Sequence, residues 1–136
     1  MNRCLFELIL AVKRKCQCNE EQIQEELGLS AAEFYGLVAL DSGQAIPGGQ
    51  FAEQMGLSPS RGSRVLNRLV TDGLVKAELS PTDRRAIVVS LTDRGVEMKG
   101  RITEHMKACE SRIFSRLDEA DVQQVRGALE LLTTAL

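Results

Sequence analysis

Hydrophobic residues recur at helical spacing along most of the chain. In residues 4–15 they form one stripe: Leu5, Leu8, Ile9 and Val12. Asn19 can cap a second helical segment, residues 20–27, which Gly28 would end. A single helix over residues 4–27 fits the same pattern, so the spacing leaves one helix and two helices open.

Polar residues mark where the next helices begin. Ser30 is followed three residues later by Glu33, a capping box that predicts a helix over residues 31–40. A short helix over residues 48–55 follows it.

The next helix pairs with this short one in the pattern of a helix-turn-helix. Ser58 can cap it, and Pro59 occupies its first position, where a missing N–H breaks no hydrogen bond. Ala52 is the small residue needed where the two helices cross, and Gly56 suits the positive φ of the turn. Three apolar residues hold the second helix down: Val65, Leu66 and Leu69.

Extended segments and two long helices complete the chain. Residues 74–79 and 86–91 flank a polar turn, which predicts a two-stranded hairpin. Thr92 caps a helix over residues 93–116, and Asp118 caps the last helix. Each of these two helices has an apolar seam, formed by Ile102, Met106, Cys109, Ile113 and Leu117 on one and by Val122, Val125, Leu129, Leu132 and Leu136 on the other. Such seams require partner helices.

The predicted fold is therefore mainly α. It is a winged helix-turn-helix with a two-stranded wing, flanked by N- and C-terminal dimerisation helices. We expect a single chain unit over residues 1–136, with a DNA-binding lobe at residues 30–100. The helical dimerisation region would comprise residues 1–29 and 101–136.

Composition narrows the function classes. The chain has 136 residues, 43% of them hydrophobic and 26% charged, which is typical of an ordered domain. Its apolar stretch at residues 8–12 is too short to span a bilayer, and basic residues follow it, in the wrong order for a secretory signal. We therefore expect a cytoplasmic protein without a membrane partner. One histidine is too few to offer a choice of catalytic triads.

Charge is unevenly distributed despite a net charge of −2. Residues 58–101 have nine basic and five acidic side chains, whereas residues 1–57 have four and eight. A patch for an anionic polymer is therefore expected in the middle of the chain.

The outer face of the helix after Ser58 indicates what that polymer is. At 100° per residue, three arginines fall within about 60° of one another: Arg61, Arg64 and Arg68. Ser60, Ser63 and Asn67 flank them, and the face has no carboxylate. Arginine forks match guanine edges and phosphates, while Ser and Asn contact phosphates or adenine. With Ser58 at the N-cap, this face is typical of a DNA-recognition helix.

The hairpin tip supplies a second basic element. Asp83, Arg84 and Arg85 lie on the turn between the strands. An arginine there can enter a minor groove, where the potential is most negative.

Five segments together resemble the MarR family of transcriptional regulators. They are residues 29–37, the helix-turn-helix at 51–69, Asp-Gly-Leu-Val at 72–75, Asp-Arg-Arg-Ala at 83–86 and Val-Ser-Leu-Thr-Asp-Arg-Gly at 89–95. The resemblance implies a homodimer with interlocking terminal helices that binds a pseudo-palindromic double-stranded operator. It also implies that Arg85 reaches the minor groove and that Asp83 orients it.

Gly62 departs from the family pattern, which has a branched or small apolar residue there. Glycine inside a helix costs about 1 kcal/mol relative to alanine. We therefore expect a more adaptable recognition helix.

The cysteines leave several roles open. Cys4, Cys16 and Cys18 lie near the N-terminus, and cations near the last two favour the thiolate. They are candidates for redox or effector sensing, with Tyr35 as a possible partner, or are simply small apolar residues. His105 and Cys109 are weak metal candidates, four residues apart on one helix. No cofactor is expected.

The predicted function is a sequence-specific DNA-binding transcriptional regulator. It would be a dimeric repressor released by a small effector or by thiol oxidation. It is not expected to be an enzyme. The alternatives are a small thiol-based redox enzyme and a winged helix used only for protein–protein contact.

Overall fold

The computed structural model describes residues 2–83 and 85–136, which form six helices and three short strands. In chain order they are α1 Leu5–Leu27, α2 Ala31–Ala39, β1 Ile46–Pro47, α3 Gly48–Gln54, α4 Pro59–Thr71, β2 Val75–Leu79, β3 Ile87–Leu91, α5 Asp93–Phe114 and α6 Glu119–Ala135. The chain divides into two compact units, Met1–Ile102 and Thr103–Leu136, which we call the lobe and the C-terminal unit.

Helix α1 is a single helix, which answers the question that the hydrophobic pattern left open. It continues through residues 16–19 and ends at Gly28, whose φ is 68°. The N–H of Leu29 then donates to the carbonyl of Gln24, 2.8 Å away. A left-handed residue closing the last turn in this way is the usual reason for glycine after a helix.

The predicted caps Ser30 and Asp118 are confirmed, whereas Asn19 lies inside α1 and caps no helix. The hydroxyl of Ser30 accepts a hydrogen bond from the N–H of Glu33, and the Glu33 carboxylate accepts one from the N–H of Ser30. Asp118 accepts a bond from the N–H of Asp121 at 2.8 Å. Each bond satisfies an N–H that the first helical turn would otherwise leave unpaired.

The hairpin is present, with Val75 opposite Leu91 and Leu79 opposite Ile87. A third strand, β1, was not predicted: Ile46 pairs with Val89 on the other side of β3. Two residues give no alternating pattern, and their partner lies more than forty positions away. This strand attaches the start of α3 to the wing.

The lobe has its own hydrophobic core. Large side chains from α2, α3, α4 and the sheet are almost wholly buried, including Phe34, Leu37, Leu40, Phe51, Leu69, Leu74 and Val89. Ile23 from the C-terminal half of α1 belongs to the same cluster. The first half of α1 is different, because Leu5 and Phe6 are 66% and 64% exposed.

The C-terminal unit has no comparable core. None of the residues of α6, all of which the structure describes, is buried. Apolar residues from the end of α5, from the connection and from α6 line an open cavity of about 350 Å³. They are Ile113, Phe114, Leu117, Val122, Val125 and Leu129. One ion pair joins its two helices, with Arg126 Nη2 3.9 Å from Glu110 Oε1.

Among the described residues, no helix combines the length and the apolar character needed to cross a membrane.

Candidate nucleic-acid interface

Helix α4 is built as the sequence predicts. The hydroxyl of Ser58 accepts a hydrogen bond from the N–H of Arg61 at 3.3 Å, and Pro59 is the first helical residue. Gly56 has a φ of 69° in the turn that joins α3 to α4. Most side chains cannot adopt this backbone conformation without strain, so glycine permits the tight turn.

The two faces of α4 separate as expected. Leu69 is fully buried, and Val65 and Leu66 are half-buried against the core. The six predicted contact residues of the helix are exposed, namely Ser60, Arg61, Ser63, Arg64, Asn67 and Arg68. The structure therefore brings the predicted polar residues onto one solvent-facing surface, which we call the α4 face.

Arg68 has a neighbour that the helix pattern could not show. Burial raises the pKa of Glu33, but hydrogen bonds with Ser30 and with the side chain of Asp72, together with the charge of Arg68, lower it, and the net pKa lies below its usual value. The α4 face has no carboxylate of its own, but a carboxylate from α2 lies close to its C-terminal end. Arg68 is thus partly engaged within the lobe.

Gly62 is buried against α3, a contact that its helix propensity alone does not reveal. Helix α4 is continuous from Pro59 to Thr71 through this residue. Ala52, only 5% exposed, lies at the crossing as predicted. A Cβ on Gly62 would approach the Cβ of Ala52 to well under 3.0 Å, a separation that real Cβ atoms essentially never show.

The wing tip is held by hydrogen bonds of its own. Asp83 Oδ1 accepts a bond from the backbone N–H of Arg85 at 3.0 Å, and the Asp83 carbonyl accepts one from the N–H of Ala86. Asp83 therefore shapes the turn that carries Arg85 by holding its backbone. Arg84, predicted as a contact, lies outside the described residues.

The wing and the recognition helix share one cleft. Ser63 and Leu66 of α4 line it on one side, and Arg85 and Ile87 of the wing on the other. Its volume is about 360 Å³. Gly48, Gly49 and Ala52 of α3 also line the cleft, and α3 was not predicted as part of the site. The cleft makes the α4 face continuous with the wing.

The residues that follow the wing attach it to the end of α4. Thr92 Oγ1 donates to the Gly73 carbonyl at 2.6 Å and accepts from the N–H of Gly95 at 3.1 Å. The N–H of Thr92 donates to the Leu74 carbonyl at 3.1 Å. Arg94 Nη1 donates to the carbonyl of Asp72 at 2.8 Å. Arg94 was not predicted to have a role, although it lies in the motif at residues 91–95.

The sensing candidates lie on α1 and α2. The thiols of Cys4, Cys16 and Cys18 are free and exposed. The Tyr35 hydroxyl donates to the Glu20 carboxylate. This hydrogen bond, then burial and the charges of Glu20 and Glu21, raises the pKa of Tyr35 to about 12. Tyr35 is thereby engaged with an acid rather than with a thiol.

The weak metal candidates lie on α5. Cys109 Sγ accepts a hydrogen bond from Arg112 Nη2 at 3.0 Å, a cationic neighbour that does not favour a metal ion. Across residues 2–83 and 85–136, no three His, Cys, Asp or Glu side chains are grouped to hold one.

Comparison with known proteins identifies related regulators. The sequence profile of the MarR family matches residues 27–86. The chain is 32% identical to the HTH-type transcriptional regulator YfiV of Bacillus subtilis over 117 residues, covering 82% of this chain and 69% of the relative. It is 28% identical to the HTH-type transcriptional repressor MdtR of the same organism, covering 84% and 74%. The reduced form of MarR from E. coli has the same fold, with a TM-score of 0.81, 22% identity and coverage of 97% and 98%.

Proposed function

Because this chain belongs to the MarR family of transcriptional regulators, we propose that it binds a pseudo-palindromic double-stranded operator as a homodimer. MarR-family proteins are transcriptional regulators and not enzymes, which removes the thiol enzyme from the alternatives. The observation that carries the proposal is the exposed α4 face, continuous with the wing through their shared cleft.

In this proposal the two ends of the α4 face have different tasks. Arg61 and Arg64 lie in the first two turns, where a recognition helix reaches base edges in the major groove. Ser60, Ser63 and Asn67 contact phosphates or adenine beside them. Arg68, close to Glu33, contributes to phosphate binding and to the packing of α2 on α4.

The wing contacts the neighbouring minor groove. A guanidinium gains most where A·T-rich sequence narrows that groove and strengthens its negative potential. Arg85 supplies the side chain, and Asp83 supports it by fixing the backbone of the turn. Arg84 of the same tip is proposed as a further contact.

Dimerisation rests on surfaces that the single chain leaves exposed. We assign it to residues 1–29 and 101–136, and DNA binding to residues 30–100. The exposed apolar side chains of α1, α5 and α6 favour this assignment, since such stripes exceed what soluble monomers usually leave uncovered. Two-fold pairing also matches the symmetry of a palindromic site.

The proposed regulation is repression that a signal relieves. Relatives such as MdtR are named repressors, which supports a repressor here. We place the protein in the cytoplasm with its DNA. A small effector or oxidation of Cys4, Cys16 or Cys18 would release it, with Tyr35 as a further candidate effector contact.

The test begins with selection of duplexes from a random-sequence library by the wild-type chain, followed by gel retardation. Arg64→Ala should weaken binding to the selected duplex by about 1–3 kcal/mol if it makes a bidentate base contact. Binding to random duplex should fall less. Lys76→Ala is the matched control, because it removes an exposed positive charge on β2, outside both the α4 face and the dimerisation region.

Two results would contradict the proposal. Equal losses on selected and random duplex would show that Arg64 only holds phosphate. Failure of the wild-type chain to enrich any sequence would favour the protein-interaction module instead.

A further inference from the structure

The recognition helix crosses α3 at a point with room for one methyl group only. Ala52 supplies that methyl from α3, and Gly62 supplies none from α4. Both residues are buried. A Cβ on Gly62 would lie well under 3.0 Å from the Ala52 Cβ and 3.3 Å from its Cα, both of which are fixed to the backbone. Alanine has no rotamer to change, so the overlap cannot be relieved by a side-chain movement.

Helix α3 is poorly placed to give way. Phe51, the neighbour of Ala52, is 1% exposed in the core. Ile46 and Pro47, just before α3, pair with β3. A displacement of α3 would therefore disturb both the core and the base of the wing.

The far half of α4 is also fixed. Leu69 is fully buried, and its side chain packs against Gly36 of α2 so closely that a Cβ there would lie 2.5 Å from Leu69 Cδ1. An added methyl at residue 62 would therefore tilt the near half of α4. That half carries Arg61 and Arg64.

We propose that Gly62 is a positioning residue for DNA recognition: with Ala52 it limits the α3–α4 crossing to one methyl group, and this spacing places Arg61 and Arg64 against the DNA. The inference rests on the DNA-binding function proposed above. Carbon atoms in contact prefer separations of about 3.5–4.0 Å, so one extra methyl requires a shift of about 1 Å. Hydrogen bonds to base edges tolerate only a few tenths of an ångström.

Gly62→Ala distinguishes this role from that of an ordinary helix position. If Gly62 only lowered helix propensity, alanine would raise the melting temperature and leave binding unchanged. We expect a loss of about tenfold or more in affinity for the selected duplex, as for one lost base contact, with a smaller loss on random duplex. Gly100→Ala in α5 is the control, because among the described residues a Cβ there would meet no atom within 4 Å.

The swap of the two residues keeps the test decisive if Gly62→Ala does not fold. Ala52→Gly combined with Gly62→Ala returns the crossing to one methyl group, and its remaining 3.3 Å contact with the residue 52 Cα needs a shift of only a few tenths of an ångström. We expect the double variant to recover most of the affinity for the selected duplex. Ala52→Gly alone should lose less than Gly62→Ala.

The outcomes separate the two proposals. A double variant that binds no better than Gly62→Ala would overturn the inference, as would a Gly62→Ala variant with wild-type affinity. In either case the DNA-binding function stands. A wild-type chain that selects no duplex would overturn the proposed function, and the positioning role with it.

Discussion

The lobe buries its large apolar residues, whereas the C-terminal unit leaves many of its own exposed. In the lobe, helices and sheet enclose Leu37, Leu69 and Val89 completely. In the C-terminal unit, Leu129 and Leu131 are 52% and 71% exposed. The lobe can be stable through its own contacts, whereas the C-terminal unit lacks an internal partner for its apolar stripe. The contrast supports the proposal that one region binds DNA as a folded module and the other pairs with a second chain.

Helix α1 combines the two kinds of region, with a buried end and an exposed start. Ile23 near its end is only 6% exposed within the lobe core, but Leu5 and Phe6 at its start are open to solvent. The boundary between self-contained and partner-dependent structure therefore runs through this helix. Four predictions would break or sharpen the comparison, beginning with the largest effect.

Leu129→Asp combined with Leu132→Asp should dissociate the dimer and weaken operator binding strongly at the same time. Two carboxylates in an apolar seam cannot be buried without a large desolvation penalty. Loss of the second half-site contact removes the avidity of paired binding, so affinity should fall by about a hundredfold or more. Sedimentation and gel retardation measure the two losses. A wild-type monomer at micromolar concentration that still binds its operator tightly would contradict the contrast.

Leu37→Ala tests whether the lobe is stable through its own core. Removing a fully buried leucine should lower the free energy of unfolding by about 2–5 kcal/mol, because it leaves a cavity in the core. Denaturant titration at several protein concentrations should give the same ΔΔG for this substitution. A ΔΔG that depends strongly on concentration would show that the lobe, too, relies on its partner.

Arg85→Ala tests whether the wing contributes to DNA binding without contributing to dimerisation. It should weaken operator binding by about 1–3 kcal/mol and leave the sedimentation of the dimer unchanged, because the side chain lies at the wing cleft. Asp83→Ala should cause part of the same loss, since it releases the turn. Unchanged affinity of both variants at physiological salt would remove the wing from DNA binding.

The titration of Tyr35 tests whether the second half of α1 packs against α2, and its expected effect is the smallest of the four. The chain has one Tyr and no Trp, so ultraviolet absorbance follows this phenol alone. Its contact with Glu20 raises its pKa to about 12, and Glu20→Gln should lower the midpoint toward the ordinary value. A raised pKa stabilises the folded state below about pH 10, the usual tyrosine value, and this contribution is lost as the pH rises toward 12.

Tyr35→Phe is the control for that titration. Its stability should fall less steeply than that of the wild type over the same alkaline range. An ordinary Tyr35 midpoint in the wild type would show that the second half of α1 is not held against α2.

Local chemistry explains why most element boundaries were predictable. Ser30, Ser58 and Asp118 each satisfy N–H groups within three residues of themselves, so a short stretch of sequence contains all the necessary information. The α4 face was predictable for the same reason, because helical periodicity alone separates Arg64 from Leu69.

The features that were missed depend on residues far apart in the chain. Strand β1 exists because Ile46 meets Val89, and Arg68 acquires an acidic neighbour because α2 brings Glu33 to it. The contact of Gly62 with α3 was missed because propensity treats this glycine as an isolated helix position. Its consequence depends on Ala52, which a neighbouring helix presses against it.

The hydrogen bonds at the base of the wing affect which insertions and deletions the hairpin can accept during evolution. Thr92, the residue after β3, is hydrogen-bonded to the carbonyls of Gly73 and Leu74 just before β2, so the hairpin is closed at its base, independently of its tip. Lengthening an exposed tip then adds little closure entropy and disturbs no packed residue. Lineages can therefore gain or lose residues between Leu79 and Ile87 while the scaffold stays intact. Under the proposed role of the wing, such changes would alter its DNA preference without remodelling α4.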